Sequence, residues 1–563
     1  MIPIKEALSE LLSEALKKTF EHALLDSDTA SSFETPREEK FGDISTHVVL
    51  KLSKELKKPP RALADALLKS MHALLQGAGL GARISKISVE GPGFINFYYS
   101  QTEIADVVMR VKNEGDSFGR PKGLRRKNIL LEFVSANPTG PLTVAHGRQA
   151  ALGDSLARIL EFCGHKVTRE YYNNDEGVQI ETLGKSTYLR YCEIKEGKSL
   201  EIPENFYRGI YLVDTAAKLI EKKGKNLSGM SENQIIEACK NFAKEDILQG
   251  IKKDLKDFDV TFDSYFSQAE LMISGAVEKV LEELKTKGVV YEKEGAVWFE
   301  STRLGDDKDR VLVKSDKTYT YLLPDIAYHK NKLTRSDKYD FLIDILGPDH
   351  HGYIARIKAA VEALGFSKNT LEILIAQLVT LYEDGKQVRM STRAGEFVTL
   401  REIMDEVGKD AGRFFFLMRK FDTHLDFDLA LAKSQTPENP VFYIQYAHAR
   451  IQSVKNLFHE KNKTLVWDEK CLPRLTDERE TRLMRLLSQF EDAVLGAEKT
   501  LEPYRLVPYL MDLAAAFHRF YTENRIVVDD ASLTNARMML VETTQQVLRT
   551  GLRLLGVSAP LKM

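Results

Sequence analysis

Cysteine is scarce. Cys163, Cys192, Cys239 and Cys471 stand far apart in 563 residues, with no C-x-x-C pair. That spacing excludes a disulfide-stapled scaffold and a cysteine-rich zinc site, and free thiols in a reducing compartment are the expectation. Long apolar runs are missing too: none approaches the ~20 residues of a membrane span. The opening stretch MIPIKEALSELLSEALKKTF lacks the basic start and apolar centre of a signal peptide. Its Ile4, Leu8, Leu11, Leu12 and Leu16 follow helical spacing and predict an amphipathic helix. The expectation is a cytoplasmic protein with no membrane partner. Neither sign of charge prevails, with 80 Lys+Arg against 82 Asp+Glu and a formal charge of −2. A global polycation is excluded, although a neutral total can hide a basic face. No internal repeat and no low-complexity tract interrupts the chain.

What is present is ordinary core material: 43% hydrophobic and 29% charged residues, the composition of a soluble globular protein. The length suits roughly three to five domains at 100–200 residues each. Residues 1–112 read as a small α/β unit, with a helix over 62–75 after Pro59-Pro60, an alternating strand over 83–89, the turn Gly91-Pro92-Gly93, and the aromatic strand Phe94–Tyr99. Residues 113–435 read as a second unit. It opens with an apolar strand over 128–135, then a loop, a helix from about 146 to 162 stopped by Gly164, and a strand over 166–172. Strand, helix and strand in that order predict a parallel sheet with ligands at the strands' C-terminal ends. Residues 175–290 look like a charged helical insertion. Sheet signals resume at Ala296–Phe299, 311–314 and Phe341–Leu346, followed by a helix over 353–364 and one apolar strand over 372–381. Residues 436–563 are almost wholly helical.

Two segments carry the chemistry. The first runs from Glu132 through Ser135, Ala136, Asn137, Pro138, Gly140, Pro141, Thr143, Ala145, His146 and Gly147, joining a buried strand to a helix N-terminus. Unpaired N–H groups and the helix dipole make such a junction a site for phosphates. The small residues Gly140, Ala145 and Gly147 would let a nucleotide approach the backbone, and His146 is placed to donate to a phosphate oxygen; taken alone, a histidine there is more often a cap or core residue. The second segment, Asp384–Gly395, is a short basic loop with two hydroxyls, suited to fold over a triphosphate. By itself it reads equally well as a surface turn.

Together the two segments resemble a class I aminoacyl-tRNA synthetase, and the wording narrows the match. F-V-S-A-N-P-T-G-P-L at 133–142, E-Y-Y-N-N-D-E-G-V-Q-I at 170–180, Y-L-L-P-D-I-A-Y-H at 321–329, G-P-D-H-H-G-Y at 347–353 and M-S-T-R-A-G-E-F-V-T-L at 390–400 look like the arginyl member. So do F-G-D-I-S-T-H at 41–47, G-P-G-F-I-N-F at 91–97 and N-P-V-F-Y-I-Q-Y-A-H-A-R-I at 439–451. The resemblance to the arginyl-tRNA synthetase family spans essentially the whole chain. It departs from the wider class where Thr143 and Ala145 replace the first His and the Gly of H-x-G-H, and where Thr392 replaces the second Lys of K-M-S-K-S. Arg393, one place on, is the candidate for that missing charge.

The resemblance implies a Rossmann-like parallel-sheet catalytic domain with helical insertions, a small N-terminal α/β domain and an all-α anticodon-binding bundle. It implies activation of L-arginine by ATP with Mg²⁺, then transfer to the 3′ end of tRNA(Arg), by a monomer. Thr143, His146, Arg389, Ser391 and Arg393 are then the catalytic set around the phosphates. Glu132, Tyr321 and Asp325 would hold the guanidinium, with Ser135 and Asn137 at the amino-acid end. ATP is assigned to Ala136, Asn137, Pro138, Gly140, Pro141, Ala145, His146, Gly147, Gly347, Asp349, His350 and Met390, and the tRNA elbow to Phe94 and Asn96. Without the family match, Asp325 reads first as a helix cap after Pro324. His350 and His351 have no third ligand at metal spacing, so no metal site is assigned. Two alternatives stay open: a catalytically silent relative that only binds tRNA, favoured by Thr143 and Thr392, and a nucleotidyltransferase that needs no RNA, which leaves the helical C-terminus unexplained.

Overall fold

The computed structural model describes residues 4–20, 32–36, 38–77, 79–388, 398–461 and 463–563. Near the N-terminus the heptad-like leucines bury one face of the helix Ile4–Thr19 against Pro60–Leu75, whose Pro sits where its missing N–H costs nothing. Both helices cover a four-stranded antiparallel sheet in the order Phe33–Glu34, Ile44–Thr46, Phe94–Tyr99, Ile84–Glu90. Alternation along Phe94–Tyr99 sends Ile95 and Phe97 into that core.

The central sheet is parallel throughout. Its order is Leu371–Ile375, Phe341–Leu346, Asn128–Glu132, Lys166–Asn173, Ser264–Ser267. Its inner strands are covered on both faces, which is why they read as apolar runs. Later strands were added on both sides of Asn128–Glu132, so the winding reverses there, and a crevice opens beyond the C-terminal ends of that strand and Phe341–Leu346. The helix Val144–Phe162 starts at this crevice and runs back along the sheet.

Three sequence expectations change. Ala296–Phe299 and Arg310–Val313 do not extend the parallel sheet; with Val290–Lys293 they form a separate antiparallel one, because short reversals connect them where a parallel pairing needs a crossover. The apolar run over 372–381 is two strands. Leu371–Ile375 ends the parallel sheet, the chain bends at 376–378, and Val379–Glu383 pairs with Leu425–Asp428 in another sheet. Within the segment read as an insertion, Ser264–Ser267 is the sheet's edge strand, too short and too polar at its ends to signal itself among long charged helices.

The C-terminal helices Pro440–Glu460, Glu478–Ser488, Phe490–Thr500, Leu506–Glu523 and Ala531–Leu554 share one continuous core with the catalytic sheet's outer face. A fully buried Arg413 ties them together. Its guanidinium donates to Asp154 at 2.5 Å, to the Leu555 carbonyl at 3.2 Å and to the Phe258 carbonyl at 3.0 Å. Gly556, at φ +66, leaves room for that guanidinium where a Cβ would stand 2.1 Å from it.

Candidate active site

Parallel neighbours in register point to the same face of a sheet. Asp344 pairs with Glu132, and Glu132 with Glu170, so three carboxylates stand in a row across three adjacent strands. All three are buried, and buried like charges at strand spacing resist ionising together. The helix Leu322–Thr334 supplies the answer: His329 and Lys332 share one helical stripe, and Arg335, the residue just past the helix end, follows them. Lys332 Nζ donates to Glu132 at 2.5 Å and to Asp344 at 2.7 Å. Arg335 forks onto Glu170 at 2.5 and 3.0 Å, and the Tyr328 hydroxyl donates to the same carboxylate at 2.8 Å. His329 Nδ1 lies 2.8 Å from the Asp325 carbonyl oxygen and its Nε2 2.9 Å from Asp344. Both of its nitrogens stand within hydrogen-bond reach of oxygen atoms.

The pKa shifts follow from this packing. Burial works against the Asp344 carboxylate, yet Lys332 and His329 hold it down at about 2. Burial would lower Lys332, but Asp344 and Glu132 keep it above the ordinary lysine value. Burial raises Glu132, with Lys332 opposing. For Glu170, burial is the largest single effect and pushes upward, but the hydrogen bond and charge of Arg335, with Lys332 and Tyr328, together lower it.

Beside this ladder lies a cavity of about 600 Å³. Asp325, one helical turn before His329, lines it. Its carboxyl accepts from the Tyr353 hydroxyl and forms no ion pair among the described residues. Burial raises its pKa. Asp325 sits inside the first turn of its helix and does not cap it. Tyr321, 70% exposed, stands at the helix start on the cavity rim.

The loop after Asn128–Glu132 is strained and pinned. Val134 and Ser135 take φ of 67° and 39°, and the Ser135 N–H donates to the Phe133 carbonyl at 2.9 Å, a tight reversal that non-glycine residues rarely adopt. Ser135 Oγ donates to Glu132 at 2.9 Å and accepts from the Tyr172 N–H at 3.0 Å. The Tyr171 hydroxyl holds the Ala136 carbonyl at 2.6 Å. Ser135, Ala136 and Asn137 consequently line the cavity.

At the other end stands His146. The Thr143 backbone N–H donates to its Nδ1 at 3.1 Å. That nitrogen is an acceptor, so the proton of the neutral ring sits on Nε2. Burial lowers the His146 pKa to about 4, so the ring is a neutral donor at physiological pH, beside a helix N-terminus. It is a capping residue and a cavity residue at once. Gly347, Asp349 and His350 complete that end, beyond the strand Phe341–Leu346.

Other sequence-predicted residues lie elsewhere. Thr143 backs His146 without lining the cavity. Gly147 does not line it: a Cβ there would meet Leu400 at 2.8 Å and Phe416 at 3.1 Å, so this glycine lets the helix pack closely on both. Gly140 faces the Tyr211 hydroxyl, and Pro138, Pro141 and Ala145 are not cavity residues. Asn96 is 2% exposed, in register with Ser45 and Ser88, so of the proposed tRNA pair only Phe94 reaches the surface. Glu132 is not a vacant carboxylate, because Lys332 and Ser135 already engage both its oxygens. Arg389, Met390, Ser391, Thr392 and Arg393 lie outside the described residues. The chain re-enters at Val398, whose carbonyl accepts from the Val144 N–H at 3.1 Å, with Thr399 bridging Thr143.

Sequence reasoning missed the cations of the ladder, Asp344, Glu170, Tyr353, Gln149 and Asn174. Two signals were there: a lone acid inside the apolar F-L-I-D-I-L, and cations three apart after Asp325. Asn174 gave none; its Oδ1 is buried without a hydrogen-bond partner among the described residues and the side chain lines the cavity.

Comparison with known proteins agrees with this geometry. Residues 108–419 match the model of the class I (R) tRNA synthetase catalytic domain, 6–99 the arginyl tRNA synthetase N-terminal domain, and 444–563 the DALR anticodon-binding domain. The chain is 45% identical to the arginine–tRNA ligase of Desulfosudis oleivorans over all of both chains. The chain belongs to the arginyl-tRNA synthetase family. A further arginine–tRNA ligase, from Geobacillus kaustophilus, is 43% identical over 98% of this chain and 99% of its own. The arginyl-tRNA synthetase structure from Thermus thermophilus shares the fold, with a TM-score of 0.77 at 23% identity and full coverage of both chains. The protein is thus a class I ligase that joins arginine to tRNA at the expense of ATP. Among the described residues no helix is long and apolar enough to cross a membrane.

Proposed function

We propose that the cavity beside the acid row is where arginine and ATP meet. Asp325 provides the unpaired negative charge for the guanidinium, a planar fork of donors that suits a carboxylate. Glu132 offers only its remaining acceptor capacity, and Tyr321 closes the rim. Ser135 and Asn137 take the amino-acid end. Ala136, His146, Gly347, Asp349 and His350 take ATP, with His146 Nε2–H donating to a phosphate oxygen.

In the first step the arginine carboxylate attacks the α-phosphorus and pyrophosphate leaves; in the second the terminal ribose hydroxyl of tRNA accepts the arginyl group and AMP departs. Both nucleophiles belong to substrates, so the protein's share is positioning and electrostatics. ATP enters as its Mg²⁺ complex. Arg389, Ser391, Arg393 and Met390 belong to the phosphate side, a reading supported by the re-entry of their segment at Val398 against Val144. Phe94 offers an exposed ring edge to an unstacked tRNA base. We assign the protein to the cytoplasm, in keeping with its four free thiols, and to a monomeric state.

One observation carries this reading: a half-buried carboxylate with no cation partner among the described residues and a neutral imidazole N–H line the same cavity at the sheet's C-terminal edge. Pyrophosphate exchange with tRNA present tests it. His146→Ala should lower the rate about 100-fold, the scale of losing one preorganised donor. An unchanged rate removes His146 from the site.

A further inference from the structure

The ladder balances itself. Asp344, Glu132 and Glu170 face His329, Lys332 and Arg335, three acids against three donors each aimed at an acceptor. Asp325, on the same helix, is the one carboxyl of this group with no cation of its own. Lys332 is the hub: it is fully buried, it alone touches two of the acids, and its Nζ lies 4.3 Å from the Tyr328 ring centroid. One of those acids, Glu132, is also fixed by Ser135 in the strained loop that lines the cavity. Lys332 itself does not line the cavity, so whatever it does for substrate it does through its neighbours.

We propose that Lys332 is a positioning residue for arginine selection: by pairing with Glu132 and Asp344 it leaves Asp325 as the one carboxyl of the cavity's inner end that no described cation pairs directly, matched to one guanidinium. The proposal rests on the reading of Asp325 given above. Without Lys332, Glu132 and Asp344 face each other with only His329 nearby. One of them then takes up a proton at neutral pH, and the Glu132–Ser135 anchor of the loop loosens. The groups facing the vacated position are Glu132 and Asp344 from the sheet, His329 and Tyr328 from the helix, with Asp325 a longer reach away on that helix and Glu170 and Arg335 one step further along the row.

The experiment measures arginine and ATP KM, and kcat, for tRNA arginylation by the full chain between pH 7 and 8.5. The variants are Lys332→Met, Lys332→Arg, and Lys332→Met combined with Asp344→Asn. In the parent chain the arginine KM is expected to stay flat across this range. Lys332→Met should raise it at least tenfold at pH 7, with recovery as pH rises and the trapped proton leaves, while the ATP KM stays within twofold. Lys332→Arg should keep the flat profile. The double variant should be flat again, since one acid is gone, but with a raised arginine KM because Glu132 has lost its anchor. If Lys332→Met does not fold, the double variant decides alone: a parental arginine KM there overturns the proposal. So does a folded Lys332→Met with a parental KM, or one whose arginine and ATP KM rise together. Asp325→Asn, run in parallel, separates the two claims. An unchanged arginine KM in that variant means the site reading has failed; a raised one beside silent Lys332 variants means only this inference has.

Discussion

Two buried cations, Arg413 and Lys332, meet the same physical demand in different ways. Each is fully buried. Arg413 spends most of its donors on carbonyls from two distant parts of the chain, with Asp154 as its carboxylate, and it lies in the seam between sheet and C-terminal helices. Lys332 donates its hydrogen bonds only to carboxylates, from two adjacent strands, and those partners border the cavity. A buried charge whose partners are backbone groups holds elements together. A buried charge whose partners are ionised side chains sets the electrostatics of whatever space those side chains line.

The comparison can be broken by substitution. Arg413→Met should cost roughly 3–5 kcal/mol of stability, because it takes from buried Asp154 one of its three guanidinium partners, leaving Arg158 and the more distant Arg169, and leaves several carbonyls unpaired. Its thermal unfolding temperature falls, while the arginine KM of the folded fraction stays parental. A large shift in that KM would erase the distinction between the two cations. Asp325→Ala should cost about 2–5 kcal/mol of arginine binding, seen as a raised arginine KM with unchanged tRNA affinity. Gly147→Ala, on the packing side of the helix that carries His146, should destabilise by about 1–3 kcal/mol through its clash with Leu400 and Phe416, without altering ATP KM.

A smaller effect concerns pH. His146 is held neutral down to about pH 4 by burial, whereas an unfolded histidine ionises near 6.5. Between those values the unfolded state binds the extra proton, so stability falls as pH drops through that window. His146→Gln removes this linkage. The variant should lose less stability than the parent between pH 7 and pH 5 in denaturant titrations; equal losses would mean that the ring is not kept neutral by its surroundings.

Much of this was legible in the sequence, and the illegible parts have identifiable causes. The strand–loop–helix at 128–162 announced itself because a fully buried strand is a run of apolar residues and a helix stripe repeats at 3.6. The strand at 264–267 did not, since four residues at a sheet edge carry no periodicity. Asp325 was found through the motif around it, but the reason it stands uncompensated was not. That reason lies in the register of three strands remote in sequence, which places Asp344, Glu132 and Glu170 side by side. The packing role of Gly147 was not legible, because a glycine at a helix start serves a ligand or a neighbouring side chain equally well until the neighbour is known.

The most direct measurement is the preference for arginine over citrulline, which keeps the shape of the side chain and removes its charge. It compares kcat/KM for the two in the parent and in Asp325→Asn. If Asp325 is the carboxylate that meets the guanidinium, the preference should fall by at least 100-fold in the variant. A preference that survives the substitution intact would place the recognition of charge elsewhere in the molecule.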